Sequence, residues 1–288
     1  MKRQIGKTNV LVNAIGFGGM PLSIEGRPNE PEAIKVIHAL LAAGIDFIDT
    51  ANVYCVDDND LGHNEALIKK AMQTWRGDGP IYVATKGGLR RPGGDWITNG
   101  QPKELRRACE SSIKALGVDH LFLYQLHAPD SKVPLADSVG EISRLQEEGK
   151  VLHVGLSNVS AAELNWAQKI VRIETVQNRF NPMCQRDLFN GVITACQEQK
   201  VTYIAYSPVG GGGHHVEMAQ HPTLVEISQD HQATTYQIML SWCLSKGNQM
   251  LPIPGASKVK NVISSAAAVK INLSAEEILR IDEFSVVA

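Results

Sequence analysis

The chain has no paired-cysteine motif. Its five cysteines, Cys55, Cys109, Cys184, Cys196 and Cys243, are odd in number and widely scattered, and none form a CxxC pair. That argues against a disulfide framework and suits a reducing, cytoplasmic compartment. It also has no long apolar run: no stretch approaches the ~18 residues a membrane-crossing helix needs. The opening residues, Met1 to Asn9, are basic but lack the apolar core of a secretory leader. Nor is there an excess of charge of one sign. The 30 acidic residues nearly balance the 28 basic ones. This gives no general electrostatic reason to expect nucleic acid or an anionic membrane surface as a partner. No cluster has metal-ligand spacing, so no metal is expected; the adjacent pair His214–His215 has no further ligand in step and reads as a surface loop.

What is present is an alternation. Short apolar or β-branched runs occur at 14–17, 45–48, 81–84, 121–124, 151–154, 175–177, 202–205 and 250–253. Each reads as a buried strand of a parallel sheet. Between them lie helical periods. Ile34, Ile37, Leu40 and Leu41 form one apolar face ending at Gly44. Leu105, Cys109, Ile113 and Leu116 form a second ending at Gly117. Leu135, Val139, Ile142 and Leu145 form a third ending at Gly149. Ser160 with Glu163, and Ser274 with Glu277, read as capping boxes. A doubly wound nucleotide-binding sheet would open with G-x-G-x-x-G. The nearest candidate, Gly16-Phe17-Gly18-Gly19-Met20-Pro21, has proline where the third glycine belongs. Eight strand–helix repeats therefore predict a (β/α)8 TIM barrel, one α/β domain over 1–288, with Lys2 to Val12 as an N-terminal β-hairpin plugging the barrel bottom.

The residues just past each strand carry the chemistry. In order they are Gly18, Asp49, Lys86, His127, Ser157-Asn158, Gln177, Tyr206-Ser207 and Gly255. Barrel enzymes build their sites on this carboxyl-end face. Alone, Asp49 could be a cap, Lys86 a solvated charge, Tyr54 a packing residue and His127 a satisfied core histidine. Together, at successive strand ends, they point to one site.

Three blocks, Asp49-Thr50-Ala51-Asn52-Val53-Tyr54, Ala84-Thr85-Lys86-Gly87-Gly88 and Leu126-His127-Ala128-Pro129-Asp130, resemble those of the aldo-keto reductase superfamily. Gly155-Leu156-Ser157-Asn158, Gln177-Asn178-Arg179-Phe180-Asn181, Ala205-Tyr206-Ser207-Pro208 and Ile253-Pro254-Gly255-Ala256-Ser257-Lys258 continue the match from about Gly16 to about Ala268. The resemblance implies reduction of aldehydes and ketones to alcohols by direct hydride transfer from NADPH. Tyr54 is then the proton donor. Lys86 lowers its pKa, Asp49 keeps Lys86 charged and His127 orients the carbonyl. The same resemblance implies that Tyr206 stacks on the nicotinamide and that Ser157, Asn158 and Gln177 hold its carboxamide. Ser207, Pro208, Gly210 and Gly212 lie in a glycine-rich loop suited to pyrophosphate. Gly255, Ser257, Lys258 and Asn261 form the adenosine-phosphate segment, and Ser257 with Lys258 favours NADPH over NADH.

The sequence also departs from the family. Cys55 stands where glycine is usual, Asn261 where many members have arginine, and Ser264-Ser265 where a Glu-Asn pair is usual. Asn64-Glu65 replaces a Ser-Glu pair and is expected to keep an N-cap. Met20, Pro21 and Trp96 are expected to wall the substrate pocket. Trp96 lies in a long loop, Gly87 to Gln101, whose Arg90 and Arg91 read as solvated. The end at Ala288 suggests a wide pocket. Two rival readings are a Schiff-base lyase with Lys86 as nucleophile and a nicotinamide-binding, redox-sensing regulatory module with little turnover. Natural substrate, physiological direction and oligomeric state are not readable from the sequence.

Overall fold

The computed structural model describes residues 1–284. The chain opens with β1 (Lys2–Gln4) and β2 (Leu11–Asn13), an antiparallel hairpin. Then follow β3 (Phe17–Gly18), α1 (Glu30–Ala42), β4 (Phe47–Asp49), α2 (His63–Thr74) and β5 (Tyr82–Gly87). A second hairpin, β6 (Leu89–Arg90) with β7 (Ile97–Thr98), precedes α3 (Pro102–Leu116), β8 (Leu121–Leu126), α4 (Leu135–Glu147), β9 (Val151–Ser157) and α5 (Ala161–Ala167). The remainder is β10 (Ile173–Arg179), α6 (Arg186–Phe189), α7 (Val192–Gln199), β11 (Thr202–Tyr206), α8 (His215–Ala219), α9 (Pro222–Asp230), α10 (Thr235–Ser245), β12 (Met250–Ile253), α11 (Val259–Ala267) and α12 (Ala275–Asp282).

Strands β3, β4, β5, β8, β9, β10, β11 and β12 make one eight-stranded sheet in chain order, every pair parallel. The sheet curls until its edges meet. Gly18 bridges Gly255, and the amides of Gly16 and Gly18 donate to the carbonyls of Pro252 (3.0 Å) and Pro254 (3.1 Å). Glycine is required at this seam, because a Cβ on Gly18 would lie 2.9 Å from the Ile253 carbonyl oxygen. The expected (β/α)8 barrel is what forms. The three expected helix stops, Gly44, Gly117 and Gly149, all have φ between +67° and +82°. Both expected capping boxes are present, and a third, Thr234 with Gln237, opens α10.

The two-residue period of a strand sorts the core into layers. Ile48, Tyr124, Leu126, Val176 and Ala205 face the helices. Phe47, Ala84, Leu123, Ile204 and Leu251 face the barrel axis, where Ile5 and Val12 of the hairpin pack against them. The hairpin thus plugs the bottom as expected, and the buried Arg3 fixes it there by donating to the Met250 carbonyl (3.1 Å). Two residues further along the same inward faces come Asp49, Lys86, Gln125 and Tyr206. The pleat that fills the barrel floor with carbon therefore delivers polar groups to its rim.

Two expectations change. Asn64 is not an N-cap: α2 is preceded by Gly62 at φ +82° with no side-chain cap. Asn64 lies one residue inside the helix, fully buried. It accepts from the Thr50 hydroxyl (2.6 Å) and donates to the Gly19 carbonyl (2.9 Å) and the Ser23 hydroxyl (2.7 Å). Arg91 is not solvated; it is 6% exposed. The terminal segment that includes Ala288 lies outside the described residues.

Candidate active site

Lys86 projects from β5 into the barrel with no exposed surface. Its ammonium has three N–H groups and three acceptors: Asp49 Oδ2 at 2.6 Å, the Thr50 carbonyl at 2.8 Å and Tyr54 Oη at 2.9 Å. Every donor is used, which is what keeps a buried cation tolerable. Asp49, at the end of β4, is 1% exposed and answers with both oxygens. Oδ2 takes Lys86 and a long contact from Tyr54 Oη (3.5 Å). Oδ1 accepts from Gln177 (2.7 Å) and Gln125 (3.3 Å). Tyr54, 7% exposed, reaches this network from the loop after β4.

His127 follows β8, with its ring edge-on to Tyr54 at 5.8 Å between centroids. Its backbone amide donates to the Gly87 carbonyl (2.8 Å), and its carbonyl accepts from Asn158 (2.9 Å), which pins the residue to the rim. Its buried Nδ1 has no hydrogen-bond partner among the described residues. Burial, reinforced by the Lys86 charge, pushes its pKa well below the usual histidine range. The ring is therefore neutral near pH 7.

Burial also drives the Tyr54 phenol well above its ordinary value, with Asp49 and Tyr206 acting in the same sense. The direction is opposite to the expected acidification of the phenol. Burial lowers Lys86, against the pull of Asp49. Removing either partner of such a buried ion pair costs about 3–5 kcal/mol, because the other charge is stranded.

The structure brings Asp49, Tyr54, Lys86 and His127 together. Met20 packs against the cluster of Ala51, Val53 and Tyr54, and Trp96, 47% exposed, stands edge-on to both Tyr54 and His127 at 6.3 Å. Pro21 lies at the barrel seam, where its ring would meet a Cβ on Gly255 at 2.7 Å. Asn158 adopts a left-handed backbone (φ +59°) and accepts from the hydroxyl of the half-buried Tyr206 (2.9 Å). Gln177 is buried with its amide committed to Asp49, so it is tied into the charged network and not simply presented to a ligand. Ser207 (φ +50°), Pro208 and Gly210 (φ +100°) turn the loop after β11, and a Cβ on Gly212 would meet nothing within 4 Å. Beyond β12, Ser257 is half-buried, and Lys258 and Asn261 are exposed at the start of α11, which has no side-chain cap.

Sequence reading misses two residues. Gln125 touches Asp49 and accepts from the Thr175 hydroxyl (3.3 Å). Its signal is its position two before His127, on the inward face of the same strand. Glu65, fully buried, accepts from the Thr85 hydroxyl (2.5 Å) behind the strand that carries Lys86. Its carboxyl is pushed up to about 7 by burial, against the neighbouring Thr85 and Ser112 hydroxyls and the Lys86 charge.

A closed eight-stranded barrel thus carries a buried Asp–Lys–Tyr network at its carboxyl-end rim. The aldo/keto reductase family model matches residues 14–286, and the chain belongs to that family. A Schizosaccharomyces pombe protein described as an uncharacterized oxidoreductase is 34% identical over 96% of this chain and 87% of its own length. A probable aldo-keto reductase of Glycine max is 32% identical over 97% and 87%. Among solved structures, a thermostable aldo-keto reductase in complex with the inhibitor epalrestat superposes with a TM-score of 0.83 at 27% identity, covering 99% of this chain and 100% of that one. A Bacillus halodurans aldo-keto reductase in its holo form gives 0.82 at 24%, covering 100% and 97%. No helix among the described residues is long and apolar enough to cross a membrane.

Proposed function

We propose that this chain reduces aldehydes and ketones to alcohols, taking NADPH in preference to NADH. The observation that carries the reading is the Tyr54–Lys86–Asp49 chain of contacts, with the His127 ring edge-on to Tyr54 beside it. When bound, the reduced nicotinamide supplies a hydride to the carbonyl carbon. The protein's own groups serve the oxygen. His127, neutral and lying next to Tyr54, donates a hydrogen bond to the carbonyl oxygen and orients it. Tyr54 carries the proton into the reaction because burial holds it on the phenol. As that proton moves to the substrate oxygen, negative charge develops on Oη, and the Lys86 ammonium 2.9 Å away stabilises it. Asp49 keeps Lys86 charged and in place, and Gln125 and Gln177 fix the second carboxylate oxygen.

The residues fit the cofactor. Tyr206 presents a half-buried ring above the rim, with Ser157 and Asn158 beside it for the carboxamide. Gln177 reaches the same region from Asp49. The loop from Ser207 to Gly213 keeps backbone accessible for the pyrophosphate. Ser257, Lys258 and Asn261 at the uncapped start of α11 suit a 2′-phosphate. All five cysteines are free thiols, consistent with a cytoplasmic setting.

The test is a titration with NADPH and NADH followed by aldehyde, ketone and sugar panels read by cofactor absorbance. Saturable, NADPH-preferring turnover supports the reading. Tight cofactor binding with negligible turnover would favour a redox-sensing module instead.

A further inference from the structure

The Arg91 guanidinium is a buried cation held by carbonyls and a ring. It is 6% exposed, and it donates to the carbonyls of Cys55 (3.3 Å), Val56 (3.3 Å) and Gly94. Its remaining face lies over the ring of Trp96, 3.9 Å from the centroid. Two segments therefore meet at one group: the stretch just after Tyr54, and the connection between β6 and β7. The backbone repeats the tie, because the Arg91 amide donates to Asp58 (2.7 Å) and the Asp58 amide to the Arg91 carbonyl (3.0 Å).

Trp96 needs such a tie. It follows Gly93 and Gly94, both at positive φ, and precedes a strand of only two residues. Nearly half of the side chain is open to solvent, yet its ring edge faces Tyr54 and His127 equally. A carbonyl reaching both of those groups has this indole at its side. A buried guanidinium stacked on one face of the ring supplies the fixed plane that the backbone does not.

We propose that Arg91 is a positioning residue: it sets the plane of Trp96 and so determines how tightly the site holds carbonyl substrates that carry a flat apolar group. The proposal rests on the carbonyl-reduction reading above. Small aliphatic aldehydes, which do not reach across the indole, depend on it little.

The experiment compares wild type, Arg91→Met, Arg91→Lys, Trp96→Ala and the Arg91→Met/Trp96→Ala double variant, each with NADPH, on 4-nitrobenzaldehyde and propanal. Arg91→Met is expected to raise the KM for 4-nitrobenzaldehyde about three- to tenfold, with kcat and the propanal KM changed by less than about twofold. In the Trp96→Ala background the same substitution is expected to add nothing. Arg91→Lys keeps the charge but not the planar group and should lose part of the aryl preference. It serves as the measure if Arg91→Met does not fold. An unchanged aryl KM in both Arg91 variants overturns the proposal. So does an equal rise without Trp96, or a parallel fall of kcat on both aldehydes, which marks a scaffold role only. A wild-type protein that reduces neither aldehyde overturns the carbonyl-reduction reading itself, and the proposal with it.

Discussion

Replacing Tyr54 by phenylalanine removes a single oxygen from a fully satisfied buried network. Lys86 keeps Asp49 at 2.6 Å and the Thr50 carbonyl at 2.8 Å and loses only the 2.9 Å bond to Oη. One N–H of a buried ammonium is then without an acceptor, so stability should fall by about 1–3 kcal/mol. The aromatic ring remains, and its edge contacts with Trp96 and His127 with it. None of the groups assigned to the cofactor is touched. Turnover, by contrast, loses its proton donor and is expected to drop by a factor of about 10²–10⁴. Stopped-flow or steady-state absorbance with 4-nitrobenzaldehyde measures that drop, and quenching of tryptophan fluorescence by NADPH measures cofactor affinity. A variant that turns over within about tenfold of wild type refutes the assignment of the proton to Tyr54. Loss of cofactor affinity in step with turnover refutes the separation of the two roles.

Glu65 makes stability depend on pH in a defined direction. Its folded pKa of about 7 lies above the ordinary 4.5, so the folded protein holds a proton that the unfolded chain releases. Its contribution is full at low pH and drains away as pH rises through that interval, by about 3 kcal/mol in all. Glu65→Gln should flatten urea-unfolding free energies between about pH 4.5 and 7, and an unchanged slope rules out this carboxyl as the source of the dependence. Lys258→Ala should weaken NADPH about tenfold and NADH far less, read by fluorescence titration. Equal weakening removes the 2′-phosphate assignment. Arg3→Ala strips the plug of its hydrogen bonds to Met250, Leu244 and Asn248. It should cost about 1–3 kcal/mol in denaturant unfolding while leaving the KM for aldehydes in place; an unaltered midpoint shows that the hairpin is not anchored through this side chain.

Much of the molecule is legible in one dimension. Strand–helix alternation identifies all eight barrel strands, because each is buried on both faces and reads as an apolar run. Asp49, Lys86 and His127 stand out as polar residues ending such runs. What stays hidden depends on partners distant in the chain. Gln125 looks like an interruption within β8 until the barrel closes and sets it beside Asp49. Arg91 looks solvated among polar loop residues, and only the approach of the Cys55–Val56 segment buries it. Asn64 keeps the composition of a cap, but the first turn of α2 is rotated so that it faces Gly19 and Ser23 instead. The direction of the Tyr54 shift is equally unreadable from neighbours in sequence, since it comes chiefly from desolvation, which sequence does not reveal.

The junction of first and last strands has a consequence for biosynthesis. Asp49, Tyr54, Lys86 and His127 all emerge well before Met250 to Gly255, and the hoop that gathers them has no clasp until that stretch has left the ribosome. A nascent or prematurely terminated chain would carry every reactive group and no working centre. Competence therefore arrives at once, with the last barrel strand, and a nick or deletion at either end of the hoop should silence the rim without altering any of its chemical groups.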